Sequence, residues 1–486
     1  MLSFNSIKNN LAIIILALAS GFLISLYNFS VAAIVIGLAA LWFVLERFED
    51  ALLLLIFYLP FQVALNVASG FDVASGRVLI LLFFAVWIMR SLRNKKIEID
   101  FSLQTLLITL FLLLATFSWG QAFETDRAMR KLLVLFTAFP LYFILTSFAG
   151  NRNFIDRAVR YLLAGGSAIA VIGIAQFLAQ FVLGINPIFD FFSKIIAPVF
   201  YGNTFAAEVV ANPSWLVNVG GVTLLRAFAV FSDPHIYSFY LGLIIPLAFA
   251  LVFSDKKDAA AAGFKNRAFI IFAFIALIIA ELLTFSRGGY VGMAASFFVM
   301  IILFWKHFAW KQKKIFFALF LGGIIFVTSI NSSILTRFLS SFDMQEGSNT
   351  ERIKNWQQGW DIFSGNLWTG VGIGNYSYYL DPTNAYRTPI YAHNLYLDLG
   401  AELGVFALLI WILLIAVTIH ELYLASKRTR DRFLSYLALG LIGSLVWYSA
   451  HSFFDTSIYA PNILAMLVVI ISLSVSVIRC VKMEER

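Results

Sequence analysis

Long apolar runs separated by short polar segments extend along almost the whole chain. A helix needs about 20 residues to cross the hydrocarbon core of a bilayer. Because backbone groups in lipid must be hydrogen-bonded within their own segment, each run predicts a helix and not a strand. The pattern therefore predicts an all-α polytopic membrane protein with about 12–14 transmembrane helices. The 14 candidate spans are residues 11–27, 30–46, 51–67, 78–92, 103–121, 132–148, 160–183, 236–253, 268–286, 289–305, 315–331, 403–419, 434–452 and 460–478.

Two longer segments, 184–235 and 332–402, interrupt this pattern. Connections of this length are uncommon unless they carry a function. They divide the chain into five predicted parts: an N-terminal transmembrane bundle (1–183), a first long segment (184–235), central transmembrane helices (236–331), a large loop (332–402) and C-terminal transmembrane helices (403–486).

Both long segments contain patterns typical of short amphipathic helices. In the first, Pro187-Ile188-Phe189 and Phe191-Phe192 form an apolar cluster suited to the membrane surface. In the second, Ser348-Asn349-Thr350-Glu351 is a capping-box pattern that begins a helix. Such helices can also be membrane anchors without chemistry, and the sequence leaves that alternative open. One apolar face is predicted for the second helix, formed by Ile353, Trp356, Trp360 and Phe363.

Composition and charge support the membrane assignment and orient the chain. Hydrophobic residues make up 61% of the chain and charged residues 13%, against roughly 25% charged residues in soluble domains. With the N-terminus in the cytoplasm, 24 of the 35 Lys and Arg residues lie in cytoplasmic segments, as the positive-inside rule requires. Both termini are therefore predicted to be cytoplasmic, and both long segments are predicted to face outward. The net charge of +8 follows from this bias and predicts no nucleic-acid partner.

Several common signals are absent from the sequence. The single cysteine, Cys480, excludes an internal disulfide and a multi-cysteine metal site. Residues 370–375, Gly-Val-Gly-Ile-Gly-Asn, lack the spacing and lysine of a phosphate loop and predict a tight turn with close backbone packing. The sequence contains no HExxH motif, which would indicate a metal site, and no G-x-S-x-G elbow, which would indicate a hydrolase. The first apolar run continues through Tyr27, so it predicts an uncleaved span.

Two arginines stand out among the 11 basic residues that this topology leaves outside. Arg226 falls between the first long segment and a span, and Arg287 falls in a very short turn. A guanidinium group in such a half-dry place is costly without an anionic partner. Its fork geometry matches pairs of phosphate oxygens. The alternative is that each arginine pairs with a lipid headgroup or with a local acid, Glu281 or Asp233.

His393 lies where the large loop meets an apolar span, in Tyr391-Ala392-His393-Asn394. Asn394 is a good helix N-cap, and a helix N-terminus disfavours imidazolium, which would keep the ring neutral and able to accept a proton. Glu402, near the membrane, is a candidate partner for a cation. His235 opens another span and could line the same cavity as Arg226. An isolated histidine at an interface can equally be structural.

These motifs together resemble, in order, the O-antigen ligase and polymerase superfamily of bacterial membrane glycosyltransferases. The resemblance covers about residues 220–420, whereas the first 180 residues match only as apolar spans. Asp233 and His235 depart from the asparagines that are more frequent in that family. The matching pieces are Arg226 followed by Phe231-Ser232-Asp233-Pro234-His235, Ser286-Arg287-Gly288-Gly289, Arg352 with Trp356, Gly370-Val371-Gly372-Ile373-Gly374, and His393-Asn394 with Glu402-Leu403-Gly404.

The resemblance implies transfer of a glycan from undecaprenyl pyrophosphate to an acceptor hydroxyl, on the outer face of the bacterial cytoplasmic membrane. It implies no metal and no cofactor. Arg226 and Arg287 would neutralise the pyrophosphate leaving group, and His393 would be the general base. The other residues expected to bind substrate are Arg352, Asn394, Glu402, Tyr391 and His235.

The sequence leaves the acceptor open. A ligase would use lipid A–core or another glycan, a polymerase would use a second carrier-linked chain, and a protein-glycosylating relative would use a serine or threonine. The alternative from another class is a transporter or flippase for lipid-linked oligosaccharides. Internal repeats and short loops would favour it, but the chain has no convincing repeat and its outer loops are long.

Overall fold

The computed structural model describes residues 37, 40–68, 71–96, 99–211, 214–219, 221–254, 263, 264, 267–305, 347–384 and 391–485. The N-terminal helices are α1 (Phe48–Tyr58), α2 (Ser75–Arg93), α3 (Leu103–Ser118), α4 (Thr125–Ala138), α5 (Pro140–Thr146) and α6 (Arg152–Leu183). Four short helical elements follow: α7 (Ile185–Phe191), a π-helical turn (Phe192–Ile196), α8 (Ala197–Tyr201) and α9 (Asn203–Ala211). The remaining helices are α10 (Pro234–Phe253), α11 (Arg267–Leu283), α12 (Arg287–Phe304), α13 (Gly347–Gly365), α14 (Tyr376–Leu380), α15 (Leu395–Arg428), α16 (Arg432–His451) and α17 (Pro461–Glu484).

The prediction of an all-α polytopic membrane protein is confirmed. The apolar α11 has 17 residues, near the lower limit of about 17 for a span. The predicted spans 11–27 and 315–331, and most of 30–46, lie outside the described residues. In the described part of the chain, nine helical segments are long and apolar enough to cross a membrane: Ser75–Arg93, Leu103–Gln121, Thr125–Thr146, Arg152–Leu183, Pro234–Phe253, Arg287–Phe304, Leu395–Arg428, Arg432–His451 and Pro461–Glu484.

The predicted span at 51–67 is wrong. Helix α1 ends at Tyr58, and Pro60 lies in the 3₁₀ turn that follows. Proline has no backbone N–H and its ring clashes with the preceding helical turn, which favours the end of the helix here. The chain instead enters an antiparallel hairpin of β1 (Ala64–Ala68) and β2 (Phe71–Ala74).

The first long segment folds into a small unit with its own apolar core. The apolar cluster at 187–192 lies in α7 and the start of the π-helical turn, which confirms a short helix there. A second antiparallel hairpin, β3 (Leu216–Val219) and β4 (Val222–Leu225), was not predicted. Trp215, directly before β3, stacks on Phe228 with 4.5 Å between ring centroids. This packing fixes the hairpin next to Arg226.

The second predicted amphipathic helix is present as α13, but its buried face is shifted. Phe363 is buried as predicted, whereas Trp360 is 56% exposed. A Cβ at Gly359 would lie 3.1 Å from Cβ of Ala392, so α13 approaches the residues before α15 through this glycine. Successive helical residues are about 100° apart, so the contact at Gly359 turns Trp360 outward.

Close helix packing in the centre depends on small residues. Helix α16 packs against both α10 and α12. A Cβ at Gly242 of α10 would lie only 2.1 Å from the indole nitrogen of Trp447 on α16. Small residues let helices in membranes approach closely enough to gain van der Waals contact. Helix α17 is buried along almost its whole length, so it is surrounded by protein.

Helix α15, which begins just after His393, is kinked at Gly404. Gly404 has φ 79° and ψ 177°, which breaks the helix into a first arm, 395–403, and a longer second arm, 405–428. The carbonyls of Ala401 and Glu402 accept hydrogen bonds from the backbone of Val371 (2.8 Å) and Gly372 (3.0 Å). The prediction of a tight, closely packed turn at 370–375 is thus confirmed. It supplies hydrogen bonds that the kinked helix cannot make internally.

Candidate functional site

His393 lies in a tightly constrained loop at the start of α15. Its φ angle is +50°, which is uncommon for a residue other than glycine. The predicted N-cap is confirmed: Asn394 Oδ1 accepts hydrogen bonds from the backbone of Tyr396 (3.0 Å) and Leu397 (3.3 Å). The backbone N–H of Leu395 donates to the carbonyl of Ser452 at 2.9 Å. The loop is thereby held against the end of α16.

His393 is paired with Asp455, from the connection between α16 and α17. The two atoms, His393 Nδ1 and Asp455 Oδ1, are 3.3 Å apart, with the histidine side chain 49% exposed and the aspartate 19%. The sequence had not suggested this partner. With Nδ1 facing Asp455, Nε2 is the ring nitrogen left for an incoming group.

Charges around this pair set its protonation. The hydrogen bond to the Asp455 carboxylate raises the pKa of His393, and the charges of Asp455 and Asp398 add to this, whereas burial and the charge of Arg352 oppose it. The effect of Asp455 on the pKa of His393 thus runs against that of the helix N-terminus, which was expected to keep the ring neutral. His393, and to a lesser extent His235, hold the pKa of Asp455 well below its usual range, so Asp455 stays a carboxylate.

Asp398, one turn into α15, fastens both segments of this pair. Its Oδ1 accepts a hydrogen bond from the backbone of Ala392 at 3.0 Å, next to His393. Its Oδ2 accepts one from the hydroxyl of Thr456, next to Asp455. One carboxylate thus fixes the backbone beside both residues.

Arg226 is buried, with 6% of its surface exposed. Its Nε donates to the carbonyl of Thr284 at 2.6 Å, and its Nη1 donates to the carbonyl of Ser214 at 3.0 Å. The guanidinium therefore joins the first long segment to the turn between α11 and α12. The suggested local acid, Glu281, is close enough to interact with this charge.

The Arg226 guanidinium donates hydrogen bonds to two backbone carbonyls, and each bond from a charged group contributes about 1.5–3 kcal/mol. Because water can partly replace these bonds, Arg226→Ala is expected to lower the free energy of unfolding by about 2–4 kcal/mol. Arg226→Lys should recover only part of this, since an ammonium cannot reproduce the fork. Thermal unfolding in detergent, with the exposed Lys194→Ala as control, measures it. Unchanged stability of Arg226→Ala would contradict the structural role.

A hydrogen-bonded chain links Arg226 to His235 and Arg287. The hydroxyl of Ser214 donates to Asp233, whose other oxygen accepts from the backbone of His235 at 2.5 Å. His235 Nδ1 is 2.9 Å from Ser286 Oγ, and Ser286 caps α12, whose first residue is Arg287. The structure therefore brings these three predicted residues together.

His451, at the end of α16, connects this group to the histidine–aspartate pair. It is fully buried and its ring stacks on Phe239 with centroids 3.7 Å apart and planes at 2°. A Cβ at Gly288, next to Arg287, would lie 2.6 Å from its ring. Asp455 follows His451 by four residues, in the non-helical connection to α17. His393, Asp455 and Arg287 thus lie around one end of α16.

Glu402 has the cationic partner that the sequence suggested, and that partner is Lys131 of α4. Lys131 Nζ and Glu402 Oε1 are 2.7 Å apart, with side chains 7% and 1% exposed. The hydroxyl of Tyr459 donates to Glu402 Oε2 at 2.9 Å. The carboxylate is thus enclosed by protein groups, and its geometry favours a positioning role over contact with a glycan. Lys131 carried no sequence signal beyond its charge.

The arrangement combines a base with several fixed cations. His393 is half exposed and oriented by a carboxylate. Arg352 is close enough to act on its charge, and Arg287 begins the helix whose Gly288 packs against His451. Tyr391 lies against Lys131, with the ammonium 5.2 Å from the ring centroid. Among the residues that the structure describes, no three His, Cys, Asp or Glu side chains form a group that could hold a metal ion. This set can remove a proton from a hydroxyl and stabilise an anionic leaving group.

Comparison with known proteins finds two similarities. Residues 272–412 match the family model described as O-antigen ligase, a stretch that includes Arg287, Arg352, His393 and Glu402. The chain is 28% identical over 178 residues to the teichuronic acid biosynthesis protein TuaE of Bacillus subtilis (strain 168). That alignment covers 35% of this chain and 36% of the relative. Residues 272–412 of this chain are therefore similar to the O-antigen ligase family, and a part of the chain is similar to a protein of teichuronic acid biosynthesis.

Proposed function

We propose that the protein is a glycosyltransferase that moves an oligo- or polysaccharide from undecaprenyl pyrophosphate to an acceptor hydroxyl. The observation that carries this proposal is the His393–Asp455 pair, with Arg352 close enough to act on His393 and with Arg287 at the same end of α16. A transporter of such a donor needs cations for its anionic cargo, whereas a transferase needs, in addition, a base that deprotonates the acceptor. The chemistry requires no metal or nucleotide, because the donor is already activated by its pyrophosphate.

In the proposed reaction, the acceptor oxygen attacks the anomeric carbon of the donor glycan. A new C–O bond forms as the C–O bond to the pyrophosphate breaks, and the electron pair leaves with undecaprenyl pyrophosphate. His393 Nε2 takes the acceptor proton, and Asp455 stabilises the imidazolium. Arg287 stabilises the charge that develops on the leaving group, and Arg226, which is held by two backbone carbonyls, adds a second fixed positive charge.

The remaining predicted residues fit around these steps. Arg352, which acts electrostatically on His393, would hold a donor phosphate, and His235 would line the same space. Tyr391 would offer its ring to a sugar. The oxygen of Asn394 caps α15 and the residue is buried, so Asn394 would hold the His393 loop instead of binding substrate as predicted. We place this site on the outer face of the bacterial inner membrane, with both termini cytoplasmic, because the basic residues favour that orientation.

The pH dependence follows from the sign of the His393 shift. A base works when it is deprotonated, so kcat/KM should fall on the acid side as His393 gains a proton. Asp455 raises the pKa of His393, so Asp455→Asn should lower the maximal rate and move the acid limb to lower pH. A pH profile with Asp361→Asn as the surface control measures this. An acid limb that stays in place would contradict the pairing.

The acceptor distinguishes two candidate activities. The family description favours a ligase, which would transfer the glycan to lipid A–core or another glycan. A polymerase would instead transfer it to a second carrier-linked chain. Purified protein given one defined lipid-linked oligosaccharide and each acceptor in turn separates them by product mass. Elongated carrier-linked product supports the polymerase, glycosylated core supports the ligase, and no product with any acceptor contradicts the transferase proposal.

A further inference from the structure

Lys131 is a buried cation from a part of the chain that lies outside the family match. It lies on α4 in the N-terminal bundle, and 7% of its side chain is exposed. An ammonium group is costly to bury unless it is paired and hydrogen-bonded. Its partner is Glu402 at 2.7 Å, and its Nζ lies 3.9 Å from the ring centroid of Tyr459 and 5.2 Å from that of Tyr391.

These three contacts reach the three segments that form the histidine–aspartate pair. Tyr391 precedes His393 by two residues, and Tyr459 follows Asp455 by four. Glu402 lies on the first arm of α15, which begins directly after the His393 loop. One ammonium group therefore contacts the loop of the base, the loop of its aspartate and the helix arm between them.

The neighbouring corner between α3 and α4 supports the same elements by a second route. Asn375 bridges to the backbone of Glu124, accepting from its N–H at 2.7 Å and donating to its carbonyl at 3.2 Å. The backbone of Ile373 donates to the hydroxyl of Ser118 at 3.3 Å. The 370–375 turn in turn bonds to the carbonyls at the α15 kink. The N-terminal bundle thus holds the first arm of α15 at two places.

We propose that Lys131 is a positioning residue that holds His393 and Asp455 in register, an inference that rests on the proposed function. Its burial keeps it from contacting a glycan directly. Lys131 would keep His393 Nδ1 close to Asp455 Oδ1, because it contacts Tyr391 in the loop of the histidine and Tyr459 in the loop of the aspartate. Loss of the cation would let these two loops shift relative to each other. Asp398 then remains as the second tie between the two loops.

The first test is a set of variants assayed for glycan transfer. Lys131→Met should lower kcat by about 10²-fold with KM nearly unchanged, since misplacement by about 1 Å can cost that much. Lys131→Arg should retain most activity, because it keeps the charge. The matched control is Lys194→Met, which removes an exposed cation that pairs with Asp190 and should leave transfer unchanged. A Lys131→Met enzyme with normal kcat overturns the proposal.

A second measurement does not depend on transfer. The rate at which diethyl pyrocarbonate modifies His393, followed by mass spectrometry against pH, reports its protonation. The groups that act on His393 are Asp455, Asp398 and Arg352, with His235 acting through Asp455. If Lys131→Met loosens the pair, the midpoint for His393 moves to lower pH, while it stays in place in Lys194→Met. An unmoved midpoint in folded Lys131→Met overturns the proposal.

If Lys131→Met does not fold, a variant in which the two charges of the ion pair are exchanged tests the proposal. The double variant Lys131→Glu with Glu402→Lys keeps an ion pair at the same place, so it should recover folding and His393 protonation relative to either single variant. A double variant no better than the single ones overturns the proposal. Normal transfer by His393→Ala would instead remove the proposed function, while the protonation measurement would still decide the role of Lys131.

Discussion

Replacing His393 with alanine is expected to lower glycan transfer by about 10²–10⁴-fold, the usual contribution of a general base. The acceptor hydroxyl would then have to lose its proton to water in a site that still binds the donor. Binding should persist, because Arg287 and Arg352 remain in place. Transfer is measured as product formed in detergent or liposomes, and donor binding as retention of labelled lipid-linked oligosaccharide.

The matched control is His420→Ala, at the other end of α15, which should leave transfer unchanged. His393 is half exposed and its backbone is held by Asn394 and Ser452, so the alanine variant should fold. Near-normal transfer by folded His393→Ala would show that another group removes the proton. Loss of donor binding together with transfer would instead assign His393 to the donor site.

Replacing Arg287 with alanine is expected to lower kcat by about 10²–10³-fold, the usual effect of losing one preorganised group that stabilises developing charge. Arg287 is the first residue of α12, so the helix dipole favours an anion at the same place. Arg287→Lys should recover little activity, since an ammonium cannot bind two phosphate oxygens in a fork. Steady-state transfer rates and thermal stability are measured together.

Lys354→Ala is the control for Arg287, because it removes an exposed cation from α13 and should leave the rate unchanged. Arg287 is only partly buried, so its alanine variant should unfold close to the wild-type temperature. Full recovery by Arg287→Lys would argue against paired phosphate contacts and favour a simple charge effect. Equal loss in the Lys354 control would point to long-range attraction of the donor.

The membrane fold was predictable because spans depend on local hydrophobicity. The runs that became α10, α16 and α17 are apolar for about 20 residues each, and that alone identifies them. The span expected at 51–67 failed because Pro60 stops the helix early and a hairpin follows. The hairpin before Arg226 was not predicted, because strands of four residues are too short for a clear periodic pattern.

The site was predictable only in part because its contacts are long-range. Asn394 as an N-cap follows from local chemistry, and the structure confirms it. His393 and Asp455 are 62 residues apart in sequence, and Lys131 and Glu402 are 271 apart. No local pattern reports such pairs. Trp360 illustrates the same limit within a helix: periodicity predicted an apolar face, but a contact at Gly359 decided which side is buried.

As a transferase, this protein would break a glycan–pyrophosphate bond and form a glycosidic bond in the same turnover. The most direct test reconstitutes the purified protein in liposomes with one defined undecaprenyl-pyrophosphate-linked oligosaccharide and an acceptor. Released undecaprenyl pyrophosphate and new glycosidic bonds are then counted in the same sample. We expect equal amounts of both from the wild-type protein and neither from His393→Ala. Donor that crosses the bilayer intact, with no bond broken, would contradict it and indicate a transporter.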